Sequence, residues 1–284
     1  MADGTHISWT DATWNPITGC SVLSPGCKEC YAMRLAGTRL RDHPSRTGLT
    51  TMTKAGPVWN GVVRFNEQWL DQPLRWRDPR MIFVVAHGDL FHENVPDEWI
   101  DPVMWTMAYC PRHTFQVLTK RLERMASYIR NFSPERMASD LRDRWPFRHI
   151  LLGGSIEDQR RADERRPHLA ALAAAGWRTW VSYEPSLGPI DWRGWEFVKW
   201  IVSGGESGPR ARPSHPDWHR ATRDFCAANG IAYHFKQWGN WAPFYADAKG
   251  ELPWAPANYR GMMNCGKKVA GATLDGREWR EFPK

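Results

Sequence analysis

The sequence lacks the features that mark membrane-spanning and secreted proteins. No run in its 284 residues approaches the roughly 18 consecutive apolar residues that a membrane-spanning helix needs. The first residues, MADGTHISW, are polar and contain no apolar segment of the kind found in a secretory signal peptide. These absences predict a cytoplasmic protein with no membrane partner, and in that compartment thiols stay reduced.

Motifs of several common enzyme classes are also missing. His92 stands beside Glu93, but no second histidine follows at the spacing that a zinc-peptidase helix requires. The chain has no phosphate-binding P-loop, and the segment GGESGP does not fit the dinucleotide-binding glycine pattern. The segment GCSVLSPG contains no nucleophile elbow. The sequence therefore does not predict zinc-peptidase, P-loop or serine-hydrolase chemistry.

The composition is that of an ordinary globular protein with an excess of positive charge. Hydrophobic residues make up 42% and charged residues 24%, and the formal net charge is +7. A chain of 284 residues can form one large α/β domain or two small ones. The positive charge favours polyanionic partners such as nucleic acids. We expect most of the 18 tryptophans to be core or rim residues, although some could stack on bases.

Cysteine is scarce, and half of it lies in one stretch. Three of the six cysteines, Cys20, Cys27 and Cys30, fall within TWNPITGCSVLSPGCKECYAMRL in the pattern C-x6-C-x2-C. Three thiolates can bind three irons of a four-iron four-sulfur (4Fe-4S) cluster and leave the fourth iron open for a substrate. A structural zinc site would need a fourth ligand, and the rest of the chain offers none at a suitable spacing. Zinc binding and metal-free thiols remain alternatives.

Short apolar strands alternate with helical segments about seven times along the chain. This alternation predicts an α/β protein with a parallel sheet, as a partial or full (β/α) barrel; a doubly wound open sheet is the alternative. We expect a barrel domain over residues 1–240, with an inserted loop region at about 37–80. Residues 241–284 are expected to form an irregular C-terminal extension with a hairpin turned at Asp275 and Gly276.

Each predicted strand ends in a polar cluster. Because the carboxyl ends of the strands share one face in such folds, these clusters predict one large polar pocket beside the cysteines. The clusters contain His87, Gly88, Asp89, Lys120, Arg121, Ser155, Glu157, Glu184, Gly204, Gly205, Glu206, Ser207, Lys236 and Gln237.

A cysteine loop after the first strand of a (β/α) barrel resembles that of the radical S-adenosylmethionine (radical SAM) enzymes. The usual spacing in those enzymes is C-x3-C-x2-C with an aromatic residue before the last cysteine. Here the first gap is six residues, and the aromatic Tyr31 follows the last cysteine. The chain is more similar to a phage- and prophage-associated three-cysteine-motif family of unknown function. The similarity covers about residues 7–239 and the C-terminal segments KKVAG and LDGREW. It rests on the segments WNPITGC, GCKECYA, DLFHENVPDEWID, HTFQVLTKR, IEDQRRADERRP, IVSGGESGPRARPSHPDW and FKQWG.

The resemblance implies two cofactors, a 4Fe-4S cluster on Cys20, Cys27 and Cys30 and S-adenosylmethionine (SAM), together with an electron donor. In radical SAM enzymes a Gly-Gly-Glu segment after the second strand binds the methionine amine of SAM, and Asp89 stands at the matching place here. The other implied SAM-binding residues are His87, Gly88, Lys120 or Arg121, Ser155, Glu157, Gly204, Gly205, Glu206 and Ser207. The candidates that would face the substrate are Tyr31, Glu184, Lys236 and Gln237.

Two classes of function follow from these features. The first is a radical SAM-like enzyme that modifies or repairs DNA or a nucleotide, as the photoproduct lyases do. The second is a non-enzymatic iron–sulfur or zinc protein that binds a nucleic acid or a partner protein.

Overall fold

The fold is built on a parallel sheet of seven strands. In the computed structural model, which describes residues 4–243 and 261–283, the sheet strands are adjacent in chain order. They are β1 (Ala12–Trp14), β2 (Met81–Val84), β3 (Thr114–Thr119), β4 (Ile150–Ser155), β5 (Arg178–Tyr183), β6 (Trp200–Gly204) and β7 (Ala232–Gln237). Every neighbouring pair is parallel, and β1 and β7 lie at the two ends of the order. The predicted α/β fold is confirmed as a partial (β/α) barrel.

Helices connect most of the strands, and local signals define their ends. The longer helices are α1 (Tyr31–Gly37), α2 (Asp97–Ala108), α3 (Leu122–Asn131), α4 (Gln159–Ala174) and α5 (Pro216–Asn229). The Asp158 carboxylate caps α4 by accepting a hydrogen bond from the Arg161 amide at 2.9 Å. Gly230 ends α5 in the left-handed conformation, with φ of 65°. None of the helices in the described part of the chain is long and apolar enough to cross a membrane.

The strands bury both faces, and side chains alternate between them. On β2, Ile82 and Val84 pack with the helices, whereas Phe83 points to the opposite, inner side of the sheet. Trp180 and Trp200 also lie on this inner side and stack with their ring centroids 5.2 Å apart. Trp9, which precedes β1, packs edge-on against Trp180 at 5.4 Å. The segment before β1 therefore fills the interior of the partial barrel.

The inserted segment between α1 and β2 covers the outside of α1. It contains the antiparallel strands Thr50–Thr53 and Gly56–Trp59, the strand Arg64–Phe65 (paired with Ile17–Thr18), a 3₁₀ turn at Glu67–Trp69 and a short helix at Gln72–Arg75. Leu49 and Trp59 pack against Ala32, Met33 and Ala36, and Cys20 and Cys30 contact this cluster. The insert therefore forms an apolar wall beside two of the three cysteines.

The remaining short elements lie between α3 and β4 and near the C-terminus. They are the 3₁₀ turn Pro134–Arg136, the helix Ser139–Arg142, the antiparallel strands Trp241–Pro243 and Met262–Asn264, and the helix Lys267–Ala270. Leu274 and Arg277 form an antiparallel bridge around Asp275 and Gly276, both at positive φ. Residues 244–260 of the predicted extension lie outside the described residues. The division into domains at residue 240 stays a prediction.

Candidate functional site

The polar residues at the carboxyl ends of the strands bond to one another across the sheet. Lys120, which follows β3, donates from Nζ to the Ser155 hydroxyl at the end of β4 at 2.6 Å. The Ser155 hydroxyl donates to the carbonyl of Glu184, which follows β5, at 3.3 Å. The Glu184 carboxylate pairs with Nζ of Lys236 on β7 at 3.0 Å. These contacts form a continuous polar rim along the mouth of the partial barrel.

The cysteine loop, residues 19–30, starts beside this rim. The Gly19 amide donates to the His87 carbonyl at 3.2 Å. A Cβ at Gly19 would lie 2.1 Å from the Val62 carbonyl oxygen, and its φ of +98° is unfavourable for other residues. A Cβ at Gly88 would lie 2.8 Å from the Gly19 carbonyl oxygen. Glycine is therefore required on both sides of this contact between the loop and the end of β2.

All three cysteines of the loop are free thiols. Cys27 is buried at the end of the 3₁₀ turn Pro25–Cys27, and its carbonyl accepts a hydrogen bond from the Cys30 amide at 3.2 Å. Cys20 and Cys30 are half-buried against the insert. The α1 helix begins directly after Cys30. The predicted loop between the first strand and a helix is thus present, with its thiols shielded on one side by apolar residues.

Arg121, at the end of β3, fixes the first cysteine. Its guanidinium, whose side chain is 8% exposed, donates to Cys20 Sγ at 3.6 Å and to Ser21 Oγ at 2.6 Å. The same group pairs with Asp89 Oδ2 at 3.0 Å and with Glu93 Oε2 at 2.5 Å. Burial opposes the charged form of Arg121, but Asp89 and Glu93 outweigh burial and raise its pKa. One buried cation therefore ties the cysteine loop to the ends of β2 and β3.

Asp89 is buried, and the protein itself supplies the hydrogen bonds that its carboxylate accepts. Oδ1 accepts from the Thr119 hydroxyl at 2.6 Å and from the Phe91 amide at 3.0 Å, and Oδ2 faces Arg121. These contacts give Asp89 a structural role in orienting Arg121. Its role in binding the methionine amine of SAM stays a prediction.

The protonation of Cys20 follows from its surroundings. Burial raises the pKa of the Cys20 thiol to about 12, and the Asp89 carboxylate adds to this increase while Arg121 opposes it. Burial also raises the pKa of Cys30. Without a metal these thiols remain protonated at neutral pH, so metal binding must displace their protons.

The second half of the cysteine loop is held by the segment after β6. Arg212 donates from Nε to Glu206 Oε2 at 2.8 Å and from Nη2 to Glu206 Oε1. The same guanidinium donates to the Pro25 carbonyl at 2.8 Å, and Arg210 Nε donates to Glu29 Oε1 at 2.9 Å. Glu206 is only 4% exposed, so the structure uses this residue to anchor Arg212. Its predicted contact with an adenosine hydroxyl stays a prediction.

Glu157 lies under the middle of the cysteine loop. Its buried carboxylate pairs with Arg165 at 2.7 Å and with Lys120 at 3.4 Å. Burial raises the pKa of Glu157, but Lys120 and Arg165 outweigh that effect and bring it to about 2. A Cβ at Gly26 would lie 3.2 Å from Glu157 Oε1. A negatively charged carboxylate therefore packs directly against the loop.

Gly204, the last residue of β6, and Gly205 allow other parts of the protein to approach the backbone closely. A Cβ at Gly205 would lie 1.9 Å from the Trp238 carbonyl oxygen, and one at Gly204 would lie 2.8 Å from Glu184 Oε1. Ser207 Oγ accepts a hydrogen bond from Gln237 Nε2 at 3.0 Å. Close packing between the ends of β5, β6 and β7 therefore explains why both positions are glycine. Contacts of Gly204, Gly205 and Ser207 with SAM stay predictions.

Tyr31 and His87 lie between the cysteine loop and the end of β2. The Tyr31 hydroxyl donates to the Ala86 carbonyl at 2.7 Å, and its ring meets the His87 ring edge-on at 6.0 Å. Burial, together with the positive charge of Arg46, lowers the pKa of His87 to about 4. His87 is therefore neutral at physiological pH.

Sequence reasoning missed several residues that hold the site together. The sequence pattern predicts Arg121 only as a partner for the SAM carboxylate, and it gives no role in the site to Ser21, Glu93, Arg165 or Arg212. Glu93 and Arg212 lie within DLFHENVPDEWID and IVSGGESGPRARPSHPDW, two of the segments on which the family similarity rests. Membership of these segments is the sequence signal that could have identified both residues. His92 Nε2 and Ser21 Oγ lie 2.9 Å apart, which adds a third contact to the start of the loop.

Three thiols are the soft metal donors of the cysteine loop. Over residues 4–243 and 261–283, no three His, Cys, Asp or Glu side chains are grouped to hold one metal ion. A cluster binds each thiolate to a different iron, so its ligands need not converge on one atom. A 4Fe-4S cluster with one open iron needs three thiolates from the protein, and the loop contains three cysteines.

Comparison with known proteins gives a family and one structural neighbour. A family model described as protein of unknown function DUF5131 matches residues 4–283. Spore photoproduct lyase, solved in complex with a dinucleoside spore photoproduct, is similar with 12% identity and a TM-score of 0.39. That alignment covers 68% of this chain and 55% of the lyase chain. No curated protein matches the sequence. The association with phages stays a prediction.

Proposed function

The chain belongs to the DUF5131 family of proteins of unknown function, and we propose that it is an iron–sulfur enzyme of the radical SAM type. The observation that carries the proposal is the position of three free cysteines on one loop at the carboxyl ends of the parallel strands. In this proposal Cys20, Cys27 and Cys30 hold a 4Fe-4S cluster. When bound, the cluster would supply a low-potential electron and an open iron for the reductive cleavage of SAM.

The residues around the loop have roles that suit this proposal. Arg121 and Arg212 fix the two halves of the loop, and each is anchored by a strand-end carboxylate. Leu49 and Trp59 shield one side of the loop from water. The positive charge of Arg121 is offset by Asp89 and Glu93, so this buried group adds no net positive charge beside the thiols. Shielding and few uncompensated positive neighbours favour a low reduction potential.

The polar rim is the proposed binding site for SAM and substrate. Lys120 donates hydrogen bonds to Ser155 and Glu157 next to the loop, and it would exchange part of these bonds for contacts with SAM. Glu184 and Lys236 pair further along the rim, where a substrate would be held. We propose a nucleic acid or a nucleotide as the substrate because the chain carries a net charge of +7. An electron donor is the further partner that the reaction requires.

Anaerobic reconstitution with iron and sulfide tests the proposal. The wild-type protein should turn brown, bind about four irons, and release 5′-deoxyadenosine when given SAM and dithionite. Cys265→Ala is the matched control, because Cys265 is half-buried outside the cysteine loop, and it should retain both properties. Iron binding without cleavage of SAM would favour the non-enzymatic alternative. Zinc as the bound metal would contradict the proposal.

A further inference from the structure

Most cations around the mouth of the partial barrel have a carboxylate partner. Lys120 pairs with Glu157, Arg121 with Asp89, Arg210 with Glu29, Arg212 with Glu206, and Lys236 with Glu184. Two arginines of the inserted segment differ from this pattern. Arg46 and Arg64 donate hydrogen bonds to neutral oxygens, and neither pairs with a carboxylate within the described part of the chain.

Arg46 is a buried cation that no carboxylate within residues 4–243 and 261–283 pairs with. The residue is 5% exposed, and its guanidinium donates to the carbonyl and the hydroxyl of Ser45. Its Nε is buried and has no hydrogen-bond partner among residues 4–243 and 261–283. Burial, together with the positive charge of Arg64, lowers the pKa of Arg46 to about 10. Buried arginines are normally paired with an anion, so the surroundings of Arg46 among the described residues lack the anion that its guanidinium would normally bind.

Arg46 lies close to the start of the cysteine loop. The Ser45 carbonyl to which Arg46 donates also accepts a hydrogen bond from the Thr18 hydroxyl at 2.7 Å. The next residue, Gly19, donates its amide to the carbonyl of His87. His87 Nδ1 is a second buried nitrogen without a hydrogen-bond partner in the described ranges. The positive charge of Arg46 contributes to the lowered pKa of His87.

Arg64 completes a cluster of positive charge. Its guanidinium donates to the Pro44 carbonyl at 2.7 Å and to the Thr47 carbonyl at 2.8 Å, on either side of Arg46 in the sequence. Both arginines are therefore held by one short segment, residues 44–47. The two guanidinium groups thus lie beside the same four residues, and no acid that pairs with either is present in the part of the chain that the structure describes.

We propose that Arg46, Arg64 and His87 form an oxyanion-binding site that takes a carboxylate or phosphate group of the enzyme's ligand. Guanidinium groups bind both anions through charge-assisted hydrogen bonds, and neutral His87 can donate one from Nδ1. The site deepens the proposed function and rests on it for the identity of the ligand. The anion is either the methionine carboxylate of SAM or a phosphate of the nucleotide substrate. Lys120 and Arg121, predicted from the sequence to bind that carboxylate, are already paired with acids.

Calorimetry with matched ligand pairs tests the site. One pair is SAM and decarboxylated SAM, and the other is thymidine 5′-monophosphate and thymidine. We expect the wild-type protein to bind the acidic member of one pair about tenfold more tightly, and Arg46→Gln and Arg64→Gln each to lose that preference. The pair that shows the preference identifies the source of the anion. Arg41→Gln is the matched control, because Arg41 belongs to the same segment and its side chain is 72% exposed.

Thermal unfolding gives a second readout that does not depend on the cluster. Inorganic phosphate should raise the melting temperature of the wild-type protein above that in sodium chloride of equal ionic strength, and Arg46→Gln should abolish the difference. Without ligand, Arg46→Gln should melt no lower than the wild type, because it removes an uncompensated buried charge.

Two patterns of results separate this site from the proposed function. Equal affinities for both members of each ligand pair, with no phosphate effect on the wild type, would overturn the site even if the cluster forms. If the wild type fails to bind iron but shows the Arg46-dependent phosphate effect, the proposed function fails and the oxyanion site stands. Arg46→Gln should bind as much iron as the wild type, since no hydrogen bond joins Arg46 to Cys20, Cys27 or Cys30 in the described structure. A loss of iron together with a lower melting temperature would mean that Arg46 is a structural residue.

Discussion

Replacement of Arg121 by methionine removes the cation that joins the cysteine loop to the ends of β2 and β3. Four side-chain groups lose a partner, and the most affected is the buried carboxylate of Asp89. Breaking a buried ion pair by removing one partner costs about 3–5 kcal/mol. Asp89 keeps its hydrogen bonds from Thr119 and Phe91, and Glu93 is 59% exposed, so water can solvate it. We therefore expect a loss near the lower limit, about 3 kcal/mol of unfolding free energy.

Urea unfolding of the metal-free protein under reducing conditions measures this loss without a contribution from the cluster. The double variant Arg121→Met, Asp89→Asn leaves neither charge of the buried pair, and only the exposed Glu93 lacks its partner, so it should be less destabilised than the sum of the two single variants by about 2 kcal/mol. Arg160→Gln is the control for loss of an arginine, because the Arg160 side chain is 75% exposed, and it should show no measurable change. Additive effects, or a loss below about 1 kcal/mol for Arg121→Met, would refute the inferred role of this ion pair.

Four further predictions concern metal, SAM, pH and DNA. Alanine in place of Cys20, Cys27 or Cys30 should each remove most of the bound iron, and full retention in all three variants would contradict cluster binding. Asp89→Asn should leave iron content intact and weaken SAM binding by about 1–3 kcal/mol, as measured by calorimetry; unchanged affinity would assign the amine to another carboxylate. The pKa of Glu157 is lowered to about 2 from 4.5, so its contribution to stability should be present above pH 4.5 and be lost as pH falls towards 2. Glu157→Gln should flatten the stability profile in that window, and an unchanged slope would be inconsistent with the pairing. DNA binding, followed by fluorescence anisotropy, should weaken steeply with salt, and binding that ignores salt would favour a small-molecule substrate.

The strand–helix alternation could be predicted from the sequence because it is local. Runs such as MIFVV and ILLGG are short, apolar and followed by helical segments, and this pattern is typical of buried parallel strands. The extent of barrel closure could not be predicted, because it depends on how β1 and β7 end the sheet. The position of Trp9 on the inner side of the partial barrel could not be predicted either. It depends on contacts with Trp180 of β5 and Trp200 of β6, which lie far away in the sequence.

The same contrast applies to the site. The cysteine pattern is contained in eleven residues, so its spacing alone indicated a shared ligand. The anchors of the loop are separated from it by long stretches of chain: Arg121 lies 101 residues from Cys20, and Arg212 lies 187 residues from Pro25. Gly205 was assigned to a ligand, and its close neighbour is the Trp238 carbonyl. Such contacts depend on tertiary structure and leave no periodic signal in the sequence.

The packing of Trp9 and its neighbours inside the barrel has a consequence for how the chain folds. Ser8 Oγ and His234 Nε2 lie 3.0 Å apart, although 226 residues separate them in sequence. The concave side of the sheet is therefore completed by a contact that can form only after β7 has been synthesised. Contacts between residues so far apart in the sequence raise the contact order of the fold, so folding should be slow. Until Trp9 packs against them, Trp180 and Trp200 are exposed on the inner side of the sheet, so the partly folded chain should be prone to aggregation.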